Sequence, residues 1–578
     1  MAHRLRLAPA REPGVPFPTP AEIDALDLMA RARLLLLAFC MTGCTAPSPT
    51  ADLLLRGGTV WTGAADAGRA EALAILGGRI LAVGSAAELA PLVGPTTEVL
   101  ELEGRTVLPG FIDAHVHFIT GGFQLASVDL RGARSPEEFS RRIAAFAATV
   151  EPGTWITGGS WDHEAWGGML PDRSWIDSVT PEHPVFVSRL DLHMAVANTR
   201  ALERAGVEAD AVDPPGGTLV RDVEGRLTGV FKDEAMALID RAIPAPTDAQ
   251  LDRALAAAAQ HALSLGVTQV HDMGTWAHFD TYRRAHQAGR LPLRVYAVVP
   301  MSTGPRLADL VSQEGRGDPR LWWGGLKAFV DGSLGSTTAW FHEPYTDEPG
   351  TSGLVVTDPT ELRARILEAD AAGLQTIVHA IGDRANDWLL DVFAEAAARA
   401  PARERRPRIE HAQHLTAEAI ARFGAQGVIP SMQPYHAADD GRWAEKRIGA
   451  ERIRTTYAFR SLAEAGAALA FGSDWTVAPL DPLLGIQAAV TRQTLDGAHP
   501  EGWVPEQRID LETTLRAYTS GAAHAGYRDA ETGSLEPGKA ADLVVLSGDL
   551  FGTPPERIAE TLDVDLTLVE GTAAYRRR

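Results

Sequence analysis

The 578-residue sequence predicts an α/β chain: a distorted (β/α)8 barrel, an insertion after the first barrel strand, and a small β-sandwich domain built from both chain ends. Three observations predict it. From Arg105 onward apolar strand-like runs alternate with Ala-rich helical patterns, the order that builds a parallel sheet. Short apolar segments broken by Gly flank that region, over 52–108 and again in Ala541–Leu546 and Asp565–Val569. The alternation lapses between Gly121 and Lys232. The predicted organisation is an upstream extension over 1–28, a signal and tether over 29–50, sandwich strands over 51–106, the barrel over 107–530 with its insertion at about 121–232, and sandwich strands again over 531–578.

The chain opens with a Pro-rich stretch that fits no signal, then a basic segment, Met29-Ala-Arg-Ala-Arg33, and an apolar run from Leu34 to Met41. That run is too short to span a bilayer as a helix. Small residues follow, ending in Cys44. Basic, apolar, then small is the order of a secretory signal, and the last residues resemble a bacterial lipobox. The expectation is translation from Met29, export, and a lipoprotein anchored through lipidated Cys44 on the periplasmic or outer side of a bacterial envelope. A buried apolar helix and loop is the other reading of these residues.

Within 52–108, Leu53–Leu55, Ala72–Ile75 and Arg79–Gly84 read as strands, with Gly77-Gly78 as a hairpin turn. The first barrel strand runs from Val107 to Phe118, Val-Leu-Pro-Gly-Phe-Ile-Asp-Ala-His-Val-His-Phe, entered through Pro109-Gly110. His115 and His117 alternate in an extended strand, share one face and can grip one metal ion. Alone, the pair also fits two polar residues at a strand end. In the insertion, Trp155, Trp161, Trp166 and Trp175 cluster and Glu224-Gly225-Arg226 reads as a hairpin, so this segment is expected to cover the barrel mouth. Seven more barrel strands are predicted: Val267–Met273, Leu293–Val299, Gly325–Val330, Gln375–His379, Arg408–His411, Val428–Met432 and Ala468–Ser473. Helices such as Thr247–Leu265, Thr360–Ala372 and Arg384–Ala398 separate several of them.

Four more candidate ligands, Lys327, His379, His411 and Asp474, fall at or within strand ends. Barrels of this class keep their chemistry at the C-terminal ends of the strands. Singly, Lys327 fits a surface lysine, either histidine a hydrogen-bonded core residue, and Asp474 a helix cap. Together with the His pair they offer four imidazoles and two carboxylate-type ligands, enough to surround a metal pair. Glu410, Asp331 and Asp383 are candidates to orient ligands as acceptors, with caps and turns as the alternative. Trp161, His193, Trp340, Gln433 and His436 are candidates to line a substrate pocket, with plain packing as the alternative. His271 is placed to face the same rim, and His414 reads as structural.

Six segments carry a resemblance: Pro-Gly-Phe-Ile-Asp-Ala-His-Val-His, Leu-Lys-Ala-Phe-Val-Asp-Gly-Ser-Leu-Gly-Ser, Val-His-Ala-Ile-Gly-Asp-Arg-Ala, Ile-Glu-His-Ala-Gln, Phe-Gly-Ser-Asp and Gly-Ser-Leu-Glu-Pro-Gly-Lys-Ala-Ala-Asp-Leu-Val-Val-Leu. From about Asp52 to its C-terminus the chain resembles the amidohydrolase superfamily, in particular the branch of YtcJ-like proteins and N-substituted formamide deformylases. The resemblance implies that His115 and His117, with Asp474, hold the more buried metal. It implies that His379 and His411 hold a second, and that Lys327, as a carbamate, bridges the two. A buried lysine is readily made neutral, and a neutral amine can add carbon dioxide. The implied cofactors are two divalent ions, zinc by default for such donors. The implied reaction is attack of a metal-bridging hydroxide on a C–N bond of an amide, N-acyl or formamide-like substrate, with Asp474 passing the proton to the leaving amine.

Composition narrows the alternatives. With 54 Lys and Arg against 75 Asp and Glu, the net charge of −21 argues against a nucleic-acid partner. The two cysteines, Cys40 and Cys44, precede the folded part, so the core has no disulfide, thiolate ligand or thiol nucleophile. Ester or lactone cleavage remains a second hydrolytic reading. A deaminase is disfavoured because the bridging lysine is in place. A non-catalytic surface-anchored binding protein would be expected to have lost ligands, and all six are present. The expected partners are a small amide-type substrate, the membrane through Cys44, and a second copy in a homodimer.

Overall fold

A strand with no exposed residue belongs inside a parallel sheet covered on both faces, and Phe111–Val116, Val267–Met273 and Gln375–Ala380 are buried at every position. The computed structural model describes residues 49–64, 68–399 and 402–578. The predicted extension, signal and lipidation site at Cys44 therefore lie outside the described residues. Eight parallel strands form the centre: β1 (Phe111–Val116), β2 (Val267–Met273), β3 (Arg294–Pro300), β4 (Leu321–Phe329), β5 (Gln375–Ala380), β6 (Arg408–His411), β7 (Ile429–Met432) and β8 (Ala470–Phe471), each paired with the next. The sheet curls until its edges meet. Asp474 N donates to His115 O at 2.7 Å and His117 N to Trp475 O at 2.7 Å, tying the end of β8 to β1. Gly472 permits the approach, since a Cβ there would lie 2.5 Å from His115 N. The distorted (β/α)8 barrel expected from the sequence is the fold observed.

The helices form for local reasons as well as packing. Asp248–Ser264 starts at a capping box between Thr247 and Gln250. It buries Leu251, Ala254, Leu255, Ala258, Ala259, Ala262 and Leu263, the 3–4 spacing of a single face. After β5, Asp383–Arg399 buries Ala385, Asn386, Leu389, Leu390, Val392, Phe393 and Ala396 in the same way.

The apolar run from Val107 is two strands, not one. Thr106–Pro109 pairs antiparallel with Leu543–Leu546 in the terminal sheet, and β1 starts only at Phe111. Gly110, whose N–H donates to Asp542 O at 2.9 Å, marks the passage between sheets. The two chain ends build one hydrogen-bonded eight-stranded sheet. Leu53–Trp61 branches it, pairing through its first half with Glu98–Glu101 and through its second with Thr106–Pro109. The register shifts between Arg56 and Val60, where Gly57 has φ +78°. Both arms close on one core that includes Leu55, Val60, Leu73, Val107, Leu543 and Leu566.

The stretch between β1 and β2 carries its own six-stranded sheet, from Val128–Asp129 to Leu227–Asp233, with the predicted hairpin turn closed by Asp222 N to Arg226 O at 2.9 Å. Its tryptophan cluster is its core: Phe139 meets Trp161, Trp166 and Trp175 edge-on. Among the described residues no helix is long and apolar enough to cross a membrane.

Candidate metal centre

The barrel delivers the candidate ligands to one place. His115 lies near the end of β1 with His117 just beyond it, Lys327 near the end of β4, His379 in β5, His411 at the last position of β6, and Asp474 in the turn after β8. His411 and Asp474 have left-handed backbones, φ +74° and +57°. Such conformations cost non-glycine residues about 1–3 kcal/mol each and cluster at functional sites.

Asp474 is the hub. Its Oδ1 lies 3.4 Å from His115 Nε2 and 3.3 Å from His117 Nε2, and its Oδ2 lies 3.9 Å from His411 Nδ1. Ligand atoms of His115, His411 and Asp474 all fall within 4.8 Å of one another, a spread close to that of donors each about 2 Å from one ion. The His379 and His411 ring centroids are 4.5 Å apart. Lys327 is buried, with Nζ 4.6 Å above the Phe329 ring, and its charge acts on His115, His379 and His411.

Burial sets the charge states. It pushes His115 down to about 4 and holds His379 and His411 well below the usual histidine range, so all three are neutral near pH 7. Burial alone would raise Asp474, but His115, His117 and His411 outweigh it and keep the carboxyl well below its usual range. Burial also brings Lys327 down to about 8, enlarging its neutral fraction.

One nitrogen of each of three ligand rings has a hydrogen-bond partner. His115 Nδ1 bonds Glu410 Oε2. His411 Nδ1 donates to Gln433 Oε1 at 2.8 Å, and His379 Nε2 to Gly332 O at 3.0 Å. These bonds leave each ring's other nitrogen with its lone pair, the arrangement in which an outer acceptor orients a metal-binding imidazole. His115 Nε2 and Asp474 Oδ1 are both buried without a hydrogen-bond partner. Neutral imidazoles around an ionised carboxylate, with such orphaned atoms between them, fit a divalent cation.

The supporting candidates divide. Glu410 contacts His115 and is held near 2, burial opposing and Arg408 prevailing. Asp331 lies 3.6 Å from His379 Nε2, but its hydrogen bonds go to the backbone N–H groups of Trp340, Ile381 and Gly382, tying two rim loops together. Asp383 accepts from His342 N at 2.9 Å and touches no ligand. Gln433 and His436 reach the centre, the latter stacked on His411 at 6.3 Å. His193 lies 5.1 Å from the His379 ring and bonds Asp233 at 2.6 Å.

Trp161 and Trp340 do not line the cleft beside the ligands. Trp161 is fully buried in the insertion core with Nε1 donating to Val187 O at 2.8 Å, and Trp340 stacks against Arg384 at 4.5 Å. His271 sits inside the barrel, accepting from Arg408 at 3.1 Å, and does not face the rim. His414 bonds Thr456 Oγ1 at 2.9 Å, a structural role.

Two supporting residues escaped the sequence reading. Arg408 is fully buried and binds Glu410, Ser431 Oγ and Ala114 O. Asp113 accepts from His115 N and from Ser473 N and Oγ, fastening β1 to the turn that carries Asp474. A charged residue at a strand position, Asp113 between apolar neighbours and Arg408 two before Glu410, was the available signal.

A family model described as an amidohydrolase family matches residues 98–575. The chain belongs to the amidohydrolase family. It is 43% identical over 510 residues to Protein LONG AFTER FAR-RED 3 of Arabidopsis thaliana, covering 86% of this chain and 87% of that protein. It is 31% identical to YtcJ of Bacillus subtilis, covering 90% and 99%, and 30% identical to the N-substituted formamide deformylase of Arthrobacter pascens, covering 91% and 98%. An uncharacterized metal-dependent hydrolase of Pyrococcus horikoshii superposes with a TM-score of 0.71 at 29% identity, covering 90% of this chain and all of the other. The amidohydrolase thus falls in the YtcJ-like branch, as a hydrolase whose donor set suits a divalent metal.

Replacing Glu410 with Gln is expected to weaken zinc affinity by roughly 10–100-fold, read by competition with a chelator of known affinity. Unchanged affinity would show that the Glu410–His115 bond does not hold the ligand.

Proposed function

We propose that this amidohydrolase hydrolyses a C–N bond of a small amide, N-acyl or formamide-like substrate at a two-metal centre bridged by carboxylated Lys327. The observation that carries the reading is the unpaired pair His115 Nε2 and Asp474 Oδ1, 3.4 Å apart, with His117 and His411 beside the same carboxylate. Metal ions bound there would polarise the substrate carbonyl and bring the pKa of water near neutrality.

The chain's own groups supply the rest. His115, His117 and Asp474 would hold one ion, and His379 and His411 the other. Lys327 would span the two because its carbamate has two anionic oxygens, and burial favours the neutral amine from which that carbamate forms. Asp474, kept ionised beside His115, His117 and His411, would accept the proton of the attacking water and return it to the departing nitrogen. Glu410 and Gln433 keep two imidazoles in the tautomer that binds metal. Arg189, Asp191 and His193 of the insertion border the cleft and narrow the access of bulk water. That an N-substituted formamide deformylase is among the relatives supports the amide-type reading over the ester one.

The sequence order ahead of Cys44 supports export and anchoring through that residue. On that reading Cys44→Ser moves the protein from the membrane fraction to the soluble fraction, and the mature wild-type mass starts at an acylated Cys44. An unmodified chain starting at Met1 would overturn it.

Zinc-loaded protein is expected to hydrolyse members of a panel of N-acyl amines and formamides, to lose activity on chelation and to regain it on zinc add-back. Stoichiometric zinc with no hydrolysis of any amide or ester would leave only a binding role. Asp474→Asn should retain metal and lose turnover by roughly 100-fold or more, whereas full activity would remove Asp474 from proton transfer. Lys327→Ala should lose metal, measured by elemental analysis, with partial rescue by short carboxylic acids. Unchanged metal content would place the bridge elsewhere.

A further inference from the structure

Besides Asp474 Oδ1, two side chains lining the cleft carry buried polar atoms with no partner of their own. His436, on the helix Pro434–Asp440, and Trp443, just beyond it, both line the cleft. They are 8% and 9% exposed, and neither His436 Nε2 nor Trp443 Nε1 has a hydrogen-bond partner. Unpaired buried polar atoms are destabilising and uncommon. Two on one wall mark a place where a bound molecule supplies the missing partners. The indole N–H only donates, so it requires an acceptor.

The charges around this wall are already matched. Arg189 pairs with Asp191 at 2.8 Å and Asp162 at 3.0 Å, and its Nε donates to His163 at 3.2 Å. Arg442 pairs with Asp162 at 3.2 Å and with Asp439. His193 is paired with Asp233. Asp191 also accepts from Ser333 Oγ at 2.5 Å and Ser336 Oγ at 3.1 Å, and Asp440 accepts from Tyr457 Oη at 2.6 Å. Among the described residues lining the cleft, Arg189 and His193 therefore have their carboxylate partners, Asp191 and Asp439 are themselves the partners of Arg189 and Arg442, and burial raises Asp440 to about 7. A carboxylate entering here would find no unpaired side-chain cation among these residues.

We propose that Trp443 and His436 are the specificity-determining pair that reads the non-reacting part of the substrate, and that this part is an uncharged hydrogen-bond acceptor such as a carboxamide. Trp443 Nε1–H donates to that acceptor. His436, stacked parallel to His411 at an interplanar angle of 9°, takes the adjoining polar group nearest the ligands. The inference rests on the amide-hydrolase reading for its substrate class, but the recognition is separable from the chemistry.

The test compares N-acetylglycinamide with N-acetylglycine on zinc-loaded wild type, Trp443→Phe, His436→Phe and His436→Gln. Turnover, calorimetric binding and zinc content are measured for each. The wild type should favour the neutral member by roughly tenfold or more, in kcat/KM or in Kd. Trp443→Phe should raise KM or Kd for the neutral member roughly five- to tenfold, with kcat and zinc content unchanged. His436→Phe should weaken the same binding, and His436→Gln should restore part of it. Selective binding of the neutral member without turnover would sink the hydrolase reading and leave this one standing. Preference for the free acid, binding of neither compound, or variants indistinguishable from wild type would overturn the proposal. Loss of zinc in His436→Phe would also overturn it for that residue, by making it part of the metal centre.

Discussion

The backbone bond from Asp474 N to His115 O, 2.7 Å long, and its neighbour from His117 N to Trp475 O join the last barrel strand to the first. The metal centre depends on this junction. His115 and His117 come from one side of it and Asp474 from the other, and the carboxylate meets both imidazoles only because the sheet closes there. Asp113 reinforces the seam by accepting from both sides, and Gly472 leaves the space the two backbones need. A β8 of two residues is enough, since side-chain and turn hydrogen bonds continue the ladder past its end.

Inside the barrel, a fully buried Arg408–Glu410 pair, 2.8 Å apart, anchors the first ligand. Burying two charges is costly, and replacing such a pair with apolar residues is often neutral or stabilising. Its place here follows from what it touches: Glu410 bonds His115, and Arg408 bonds Ala114 O next to it. The pair therefore connects β6 to the metal-binding end of β1. Together with the left-handed backbones of His411 and Asp474, it shapes the ligand-bearing end of the barrel.

The insertion turns an open rim into a shaped cleft. Its Trp-rich core keeps its sheet rigid, and its edge brings Arg189, Asp191 and His193 within the same cleft as His379, His411 and His436. The Asp162–Arg442–Asp439 bridge links it to the segment after β7. On the proposed reading, chemistry and selectivity come from different layers: the barrel ends would hold the metal, and the insertion with the β7 segment forms the wall that the rest of the substrate would meet.

Local pattern alone was sufficient for the barrel class, because apolar runs such as Val295-Tyr296-Ala297-Val298-Val299 alternate with helices such as Asp248–Ser264, which carry a clear 3–4 stripe with a capping pair in front. It also singled out His115, His411 and Asp474, whose ligand atoms the fold brings within 4.8 Å of one another. It could not decide where Val107–Phe118 divides, because Val107-Leu108-Pro109 and Phe111-Ile112 are equally apolar and only their partners assign them to different sheets. Nor could it separate Trp161, packed in the insertion, from Trp443, which lines the cleft, because both are tryptophans in irregular sequence. Arg408 and Asp113 stayed hidden for the same reason: a charged side chain inside a strand is explained only by what lies across the barrel from it. Periodicity and strand-end chemistry are properties of neighbouring residues and can be read along the chain. Which buried group faces which depends on pairing between residues hundreds of positions apart, and closure of the barrel decides that.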